Sequence, residues 1–166
     1  MADFIVYCGK MLQVYKVDMA DKLIYTQLMF NCDMDRLADQ INKSVVSYDC
    51  IIGLARGGLI PAVCLSHKLG VSMNPVVWQT RDGGIRNKIE NLKEDIASGA
   101  NILIVDDMID SGHALKSFLD SHEITTDNVH IASLFYNIVQ PIRPDYYCRI
   151  IDREMDNRWI EFWWEQ

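Results

Sequence analysis

The segment that most restricts the fold of this chain is Ile102-Leu103-Ile104-Val105, followed at once by Asp106-Asp107. Four large aliphatic residues in succession, without polar alternation, describe a strand buried on both faces, as in a parallel sheet covered by helices. Beyond Met108-Ile109 comes a short loop, Asp110-Ser111-Gly112, and a helical pattern begins at His113. In an open α/β sheet, ligands bind at the carboxyl ends of the strands, which is where the two carboxylates fall. The loop leads into a helix N-terminus, whose unpaired N–H groups and dipole favour a phosphate. Carboxylates for hydroxyls or a cation, next to amides for an anion, suit a ribose phosphate.

The rest of the chain alternates in the same manner. Phe4 to Cys8 and Leu12 to Val17 read as two strands around Gly9-Lys10, an N-terminal hairpin. Leu23 to Phe30 is a strand candidate, and Asp33 is placed to cap a helix running through Asn42. Cys50 to Leu54 predicts a buried strand, Leu59 to Leu69 a helix closed by Gly70, and Pro75 to Trp78 another strand. Gln79 to Asn87 is polar around Gly83-Gly84 and reads as a loop, with Lys88 to Ala97 helical after it. The signature strand and its helix, through Leu119, follow, and Val129 to Tyr136 and Tyr146 to Ile151 complete the strands. This order predicts one α/β domain over residues 1–166, a parallel twisted sheet flanked by helices on both faces.

Composition excludes several classes. With 49% hydrophobic and 23% charged residues the chain fits a soluble globular domain, and 166 residues suffice for a real core. Every apolar stretch is interrupted by Lys, Asp or Arg, so no membrane span and no secretory signal is expected, and the reading is cytoplasmic. A net charge of −7 argues against a nucleic-acid surface. Five cysteines without close pairing point to reduced thiols rather than disulfides or a metal cluster.

The segment from Asn101 to Leu115 resembles the PRPP-binding signature of the type I phosphoribosyltransferases: apolar strand, acidic pair, short loop, then an Asp-Thr-Gly-like turn. Two more segments carry the resemblance, Ile51 to Pro61 with its Arg56-Gly57-Gly58 loop and Trp159 to Glu165, and the likeness is strongest to the bacterial xanthine-guanine enzymes. It spans roughly Tyr25 to Glu165 and implies that family's fold, with a small C-terminal hood. A response-regulator receiver domain also has a strand ending in Asp-Asp, but it needs a later Lys, and none follows Lys116.

The resemblance also distributes roles. Asp106 and Asp107 would hold the ribose diol and Mg²⁺, which prefers oxygen ligands and needs only one or two carboxylates. Asp110 would be the general base, and Ser111, Gly112, His113 and Ala114 would cradle the 5′-phosphate. Arg56 and Gly57 would meet pyrophosphate, with a non-proline cis peptide at Ala55–Arg56 or Arg56–Gly57. Arg81, Arg86 and Lys88 would belong to a mobile lid. Trp159 and Ile160 would cover the base, and Asn137 would approach it where relatives carry Lys. Ser111 and Ala114 stand where the family usually has Thr, so one hydroxyl contact is missing at Ala114. The implied activity is transfer of a phosphoribosyl group from PRPP to guanine, xanthine or hypoxanthine, in a homodimer or homotetramer. A PRPP-binding regulator of the same fold, or transfer to a different nitrogenous base, stays open; Asn137 and Ala114 favour these alternatives.

Overall fold

A computed structural model of the chain describes residues 2–8, 11–17, 22–78, 89, 91–124 and 127–165. Five parallel strands form the central sheet in the order β5-β4-β6-β7-β8: β4 (Cys50–Ala55), β5 (Met73–Val77), β6 (Ile102–Ile109), β7 (Val129–Asn137) and β8 (Tyr146–Ile151). Order reverses across β4 and β6, the two strands whose ends carry the expected site residues, and a ligand crevice belongs at such a switch point.

The unbroken apolar run of β6 is explained by two separate cores. Leu103 and Val105 point to one face, with Phe30, Met34 and Leu37 of α1 (Gln27–Asn42) and Ala62 and Leu65 of α2 (Leu59–Leu69). Ile102 and Ile104 point to the other, with Leu92 and Ile96 of α3 (Leu92–Ala97) and Leu115 and Phe118 of α4 (His113–Ser121). Each of these four strand residues is at most 2% exposed.

Two small sheets complete the fold. β1 (Ala2–Cys8) and β2 (Met11–Val17) pair antiparallel with Cys8 opposite Met11, the expected hairpin. β3 (Lys22–Tyr25) pairs in parallel with β9 (Trp159–Phe162), the expected hood, and a 3₁₀ turn (Trp163–Glu165) follows. An exposed ion pair between Lys22 and Glu161, 2.9 Å apart, bridges these two strands. Among the described residues, no helix is long and apolar enough to cross a membrane.

Four expectations change. Only Lys22–Tyr25 of the Leu23-to-Phe30 segment is strand; the helix starts at Gln27, and Thr26 is its cap, with Oγ1 accepting from Met29 N at 3.3 Å. Asp33 therefore lies inside α1 rather than at its start. It is fully buried, accepts the Tyr25 hydroxyl at 2.8 Å and pairs with the Arg149 guanidinium, whose Nη2 donates to Oδ1 at 3.2 Å and whose Nε donates to Oδ2. A charge satisfied by a tertiary partner overrides the local preference of Asp for a cap. Helix α3 begins at Leu92, after Asn91 in a left-handed conformation, shorter than the Lys88 start expected. Cys32 is disulfide-bonded, where thiols were expected, because pairing depends on spatial proximity that sequence spacing does not reveal; Cys50, Cys64 and Cys148 are free.

Tyr25 joins the hood to the sheet. Its ring meets Phe135, Phe162 and Trp164 edge-on, with centroids 5.1, 5.5 and 6.3 Å away. Trp164 in turn stacks on Phe162 at 4.6 Å, so it packs against the core.

Candidate active site

One cavity of about 570 Å³ opens at the carboxyl ends of β4 and β6. Arg56, Gly57, Asp106, Asp107, Asp110, Ser111, Gly112, His113 and Ala114, separated by up to 58 positions, all line it.

The β4–α2 loop forms one wall. The Ala55–Arg56 peptide bond is cis, one of the two positions expected. A Cβ on Gly57 would stand 1.8 Å from Asp107 Oδ2, so only glycine permits that carboxylate its place. A Cβ on Gly58 would meet main chain instead, Val105 O at 2.5 Å and Leu54 O at 2.7 Å. The exposed Arg56 guanidinium has no partner among the described residues, a free cation at the rim of the cavity.

The floor is the acidic pair. Asp107 N donates to Asp106 Oδ1 at 3.0 Å. Burial, then the adjacent Asp107 charge, holds Asp106 well above the usual carboxylate range. Burial also raises Asp107; the Asp106 hydrogen bond opposes this and the Glu165 carboxylate adds to it. Two desolvated carboxylates side by side repel one another, and a cation between them would relieve that cost. The donors fit Mg²⁺: oxygen atoms only, and too few to enclose the ion. Among the described residues no group of three His, Cys, Asp or Glu side chains is placed to hold a metal ion by itself, so oxygens from water or a bound molecule would complete its shell.

The third wall is the turn into α4. Gly112 adopts a left-handed conformation (φ +70°) as the helix cap and has no side chain to bond the first-turn N–H groups. The N–H groups of Ala114 and Leu115, at the cavity wall, are not bonded by the cap, an arrangement suited to an anion. Ser111 Oγ accepts a long contact from His113 N at 3.5 Å, and both side chains are exposed.

Asp110 is set differently. Arg153 Nε donates to its Oδ1 at 3.1 Å, with the two side chains 18% and 43% exposed respectively. Asn137, expected at the base, is 1% exposed and not on the cavity wall. Its amide nitrogen is spent on Asp110, 3.2 Å from the carbonyl and 3.4 Å from Oδ1. Trp159 and Ile160 also lie off the wall: Ile160 is 3% exposed within the core, and Trp159 stands 57% exposed at the start of β9. The lid residues Arg81, Arg86 and Lys88 lie outside the described residues.

Sequence reasoning missed three contributors. Arg153 meets Asp110 across 43 positions, and nothing local marks it. Trp78 and Glu165 line the cavity. Trp78 closes the end of a strand whose neighbour, β4, leads into the Arg56-Gly57 loop, so strand order, once known, would have located it.

A parallel α/β domain with an anion-binding turn, a carboxylate pair and a glycine loop at its switch point is the architecture of a sugar-phosphate-handling transferase. The chain matches the phosphoribosyl transferase domain over residues 23–165, and it belongs to that family. It is similar to the purine phosphoribosyltransferase of Pyrococcus horikoshii Ot3 at 30% identity, covering 88% of this chain and 95% of the other, with a TM-score of 0.72. The Helicobacter pylori xanthine-guanine-hypoxanthine phosphoribosyltransferase shares the fold at 21% identity over 87% and 93%, TM-score 0.69. So does a hypothetical protein from Neisseria gonorrhoeae with bound ppGpp, at 23% identity over 90% and 92%, TM-score 0.69.

Proposed function

We propose that this chain transfers the 5-phosphoribosyl group of PRPP to a purine base, guanine, xanthine or hypoxanthine, releasing pyrophosphate and a nucleoside monophosphate. The observation that carries this reading is one cavity that gathers an arginine with no partner among the described residues, a carboxylate pair, a further carboxylate and a helix N-terminus.

The α4 turn binds the 5′-phosphate through the N–H groups after Gly112 and the Ser111 hydroxyl. His113 and Ala114 continue that cradle. Asp106 and Asp107 accept hydrogen bonds from the ribose diol, and the same residues would hold Mg²⁺, directly or through water, where its charge would offset that of pyrophosphate. Arg56 and the backbone at Gly57 receive the departing pyrophosphate. As the C1–O bond breaks, the ribosyl centre gains positive charge, and a base nitrogen forms the new C1–N bond. The proton released from that nitrogen passes to the Asp110 carboxylate. Trp159, exposed at the start of β9 rather than on the cavity wall, is assigned the face of the base, and stacking of this kind contributes about 1–3 kcal/mol.

Pyrophosphate release from PRPP with Mg²⁺, measured across a panel of bases, tests the reading. Turnover with one or more oxopurines supports it, and loss of that turnover in Asp110→Asn supports the base assignment. PRPP binding without turnover on any base would replace it with a second reading, a PRPP-binding regulator of the same fold. One observation favours that alternative: Asn137 is occupied internally and presents no donor to a base. Turnover on a base other than an oxopurine would keep phosphoribosyl transfer and change its acceptor.

A further inference from the structure

We infer that Arg153, assisted by Asn137, is a positioning residue for Asp110: it turns one carboxylate oxygen into the protein and leaves the other for the proton of the incoming base. The inference rests on the phosphoribosyl-transfer reading above.

The two oxygens of Asp110 are in unlike settings. Oδ1 takes Arg153 Nε at 3.1 Å and the longer contact from Asn137 Nδ2 at 3.4 Å. Oδ2 has no partner among the described residues, and Asp110 lines the cavity. Asn137 is itself anchored, since its Oδ1 accepts from Arg153 N at 3.4 Å and Val139 N at 3.5 Å. An amide so deeply buried and bonded at both ends has little freedom to turn.

Arg153 does more than neutralise a charge. Nη1 donates to the Arg158 carbonyl at 2.5 Å, and Nη2 lies 3.7 Å from Met108 Sδ. The guanidinium is planar, so its Nε and Nη1 donors keep a fixed separation. One rigid plane thereby spaces the Asp110 carboxylate from the peptide that precedes Trp159. The group taking the proton and the strand offering a face to the base are held in register by a single side chain. Proton transfer needs heavy atoms within hydrogen-bond reach, and misplacement of about 1 Å costs on the order of 100-fold in rate.

The test is a double-mutant cycle on the full chain, with kcat and KM measured on the best oxopurine. Arg153→Met should lower kcat roughly 10- to 100-fold while KM for PRPP moves less than about twofold. Arg153→Lys, which returns a cationic donor to Oδ1 but not the second, coplanar donor to the Arg158 carbonyl, should recover only part of the loss. In an Asp110→Asn background, Arg153→Met should change the residual kcat little, because the group it orients no longer takes a proton. If Arg153→Met does not fold, Arg153→Gln, which retains an uncharged amide donor, carries the same cycle. Equal losses in both backgrounds, or full kcat in Arg153→Met, would overturn the inference and leave phosphoribosyl transfer intact. A wild-type chain inert on every base would overturn both.

Discussion

Gly57 and Gly58 are neighbours with opposite obligations, and replacing each by alanine separates function from stability. In Gly57→Ala the new methyl would sit 1.8 Å from Asp107 Oδ2 and 2.2 Å from its Cγ. An ordinary carbon–oxygen contact is about 3.3 Å, so the carboxylate must retreat by roughly 1.5 Å. It can do so by rotating a side chain, which limits the folding cost to about 1 kcal/mol and the fall in Tm to about 4 °C. The displaced carboxylate loses a charged hydrogen bond to the ribose, of order 1.5–3 kcal/mol, so PRPP affinity should fall about 10- to 150-fold. In Gly58→Ala the methyl meets Val105 O at 2.5 Å, Leu54 O at 2.7 Å and Asp106 Cα at 2.9 Å. These are main-chain atoms of two central strands, and they cannot rotate away. A cost near 3 kcal/mol, or roughly 6–12 °C in Tm, is expected there. Calorimetric titration with Mg²⁺·PRPP and thermal unfolding measure the two quantities on the same preparations. Wild-type affinity in Gly57→Ala, or equal destabilisation of both variants, would refute the reasoning.

Other consequences are equally open to measurement. Asp33→Ala strips the acceptor from Tyr25 and leaves the Arg149 guanidinium without its carboxylate, so denaturant unfolding should show a loss of about 3–5 kcal/mol; a loss below about 1 kcal/mol would contradict the buried pairing. Arg158 holds the Asp156 carboxyl down at about 2. A depressed folded value means that ionised Asp156 stabilises the fold above about pH 4 and that this contribution disappears as pH falls toward 2. The pair is about one-third exposed, so the effect is under about 1 kcal/mol, visible as urea midpoints of wild type and Asp156→Asn that differ at pH 6 and converge in acid. Burial, reinforced by Asp33, pushes the Cys148 thiol up to about 12. Iodoacetamide at pH 8 should therefore label Cys148 far more slowly than a small model thiol, as read by mass spectrometry, and rapid labelling would be inconsistent with that environment.

The legible features were those encoded over a few consecutive residues. Ile102 to Gly112 carries its strand, carboxylates and turn in one stretch, and all three were recovered because burial pattern, helix capping and loop chemistry act locally. Arg56 and Gly57 reach the cavity wall for the same reason, as a glycine-rich loop between a strand and a helix. Asp33 was misplaced because an acidic residue near an amphipathic segment looks like a cap, whereas Tyr25 and Arg149, distant in sequence, give it a buried partner. Asn137 is placed at the base by resemblance, standing where relatives carry Lys, but its side chain turns to Asp110 and is held there by Arg153 from a loop beyond the next strand. Contacts of this kind depend on how the sheet brings loops together, and no spacing rule carries that information.

The hood joins segments that lie far apart along the chain. Lys22 and Glu161, 139 positions apart, bridge β3 and β9, and Glu165 just beyond lines the cavity. Closing so long a loop carries an entropy cost that grows only slowly with length. One wall of the cavity thus hangs on a two-strand contact made across almost the whole chain, while the acidic pair and the α4 turn sit on the central sheet itself. Loosening β9 should therefore open the side lined by Glu165 and leave the opposite walls in place.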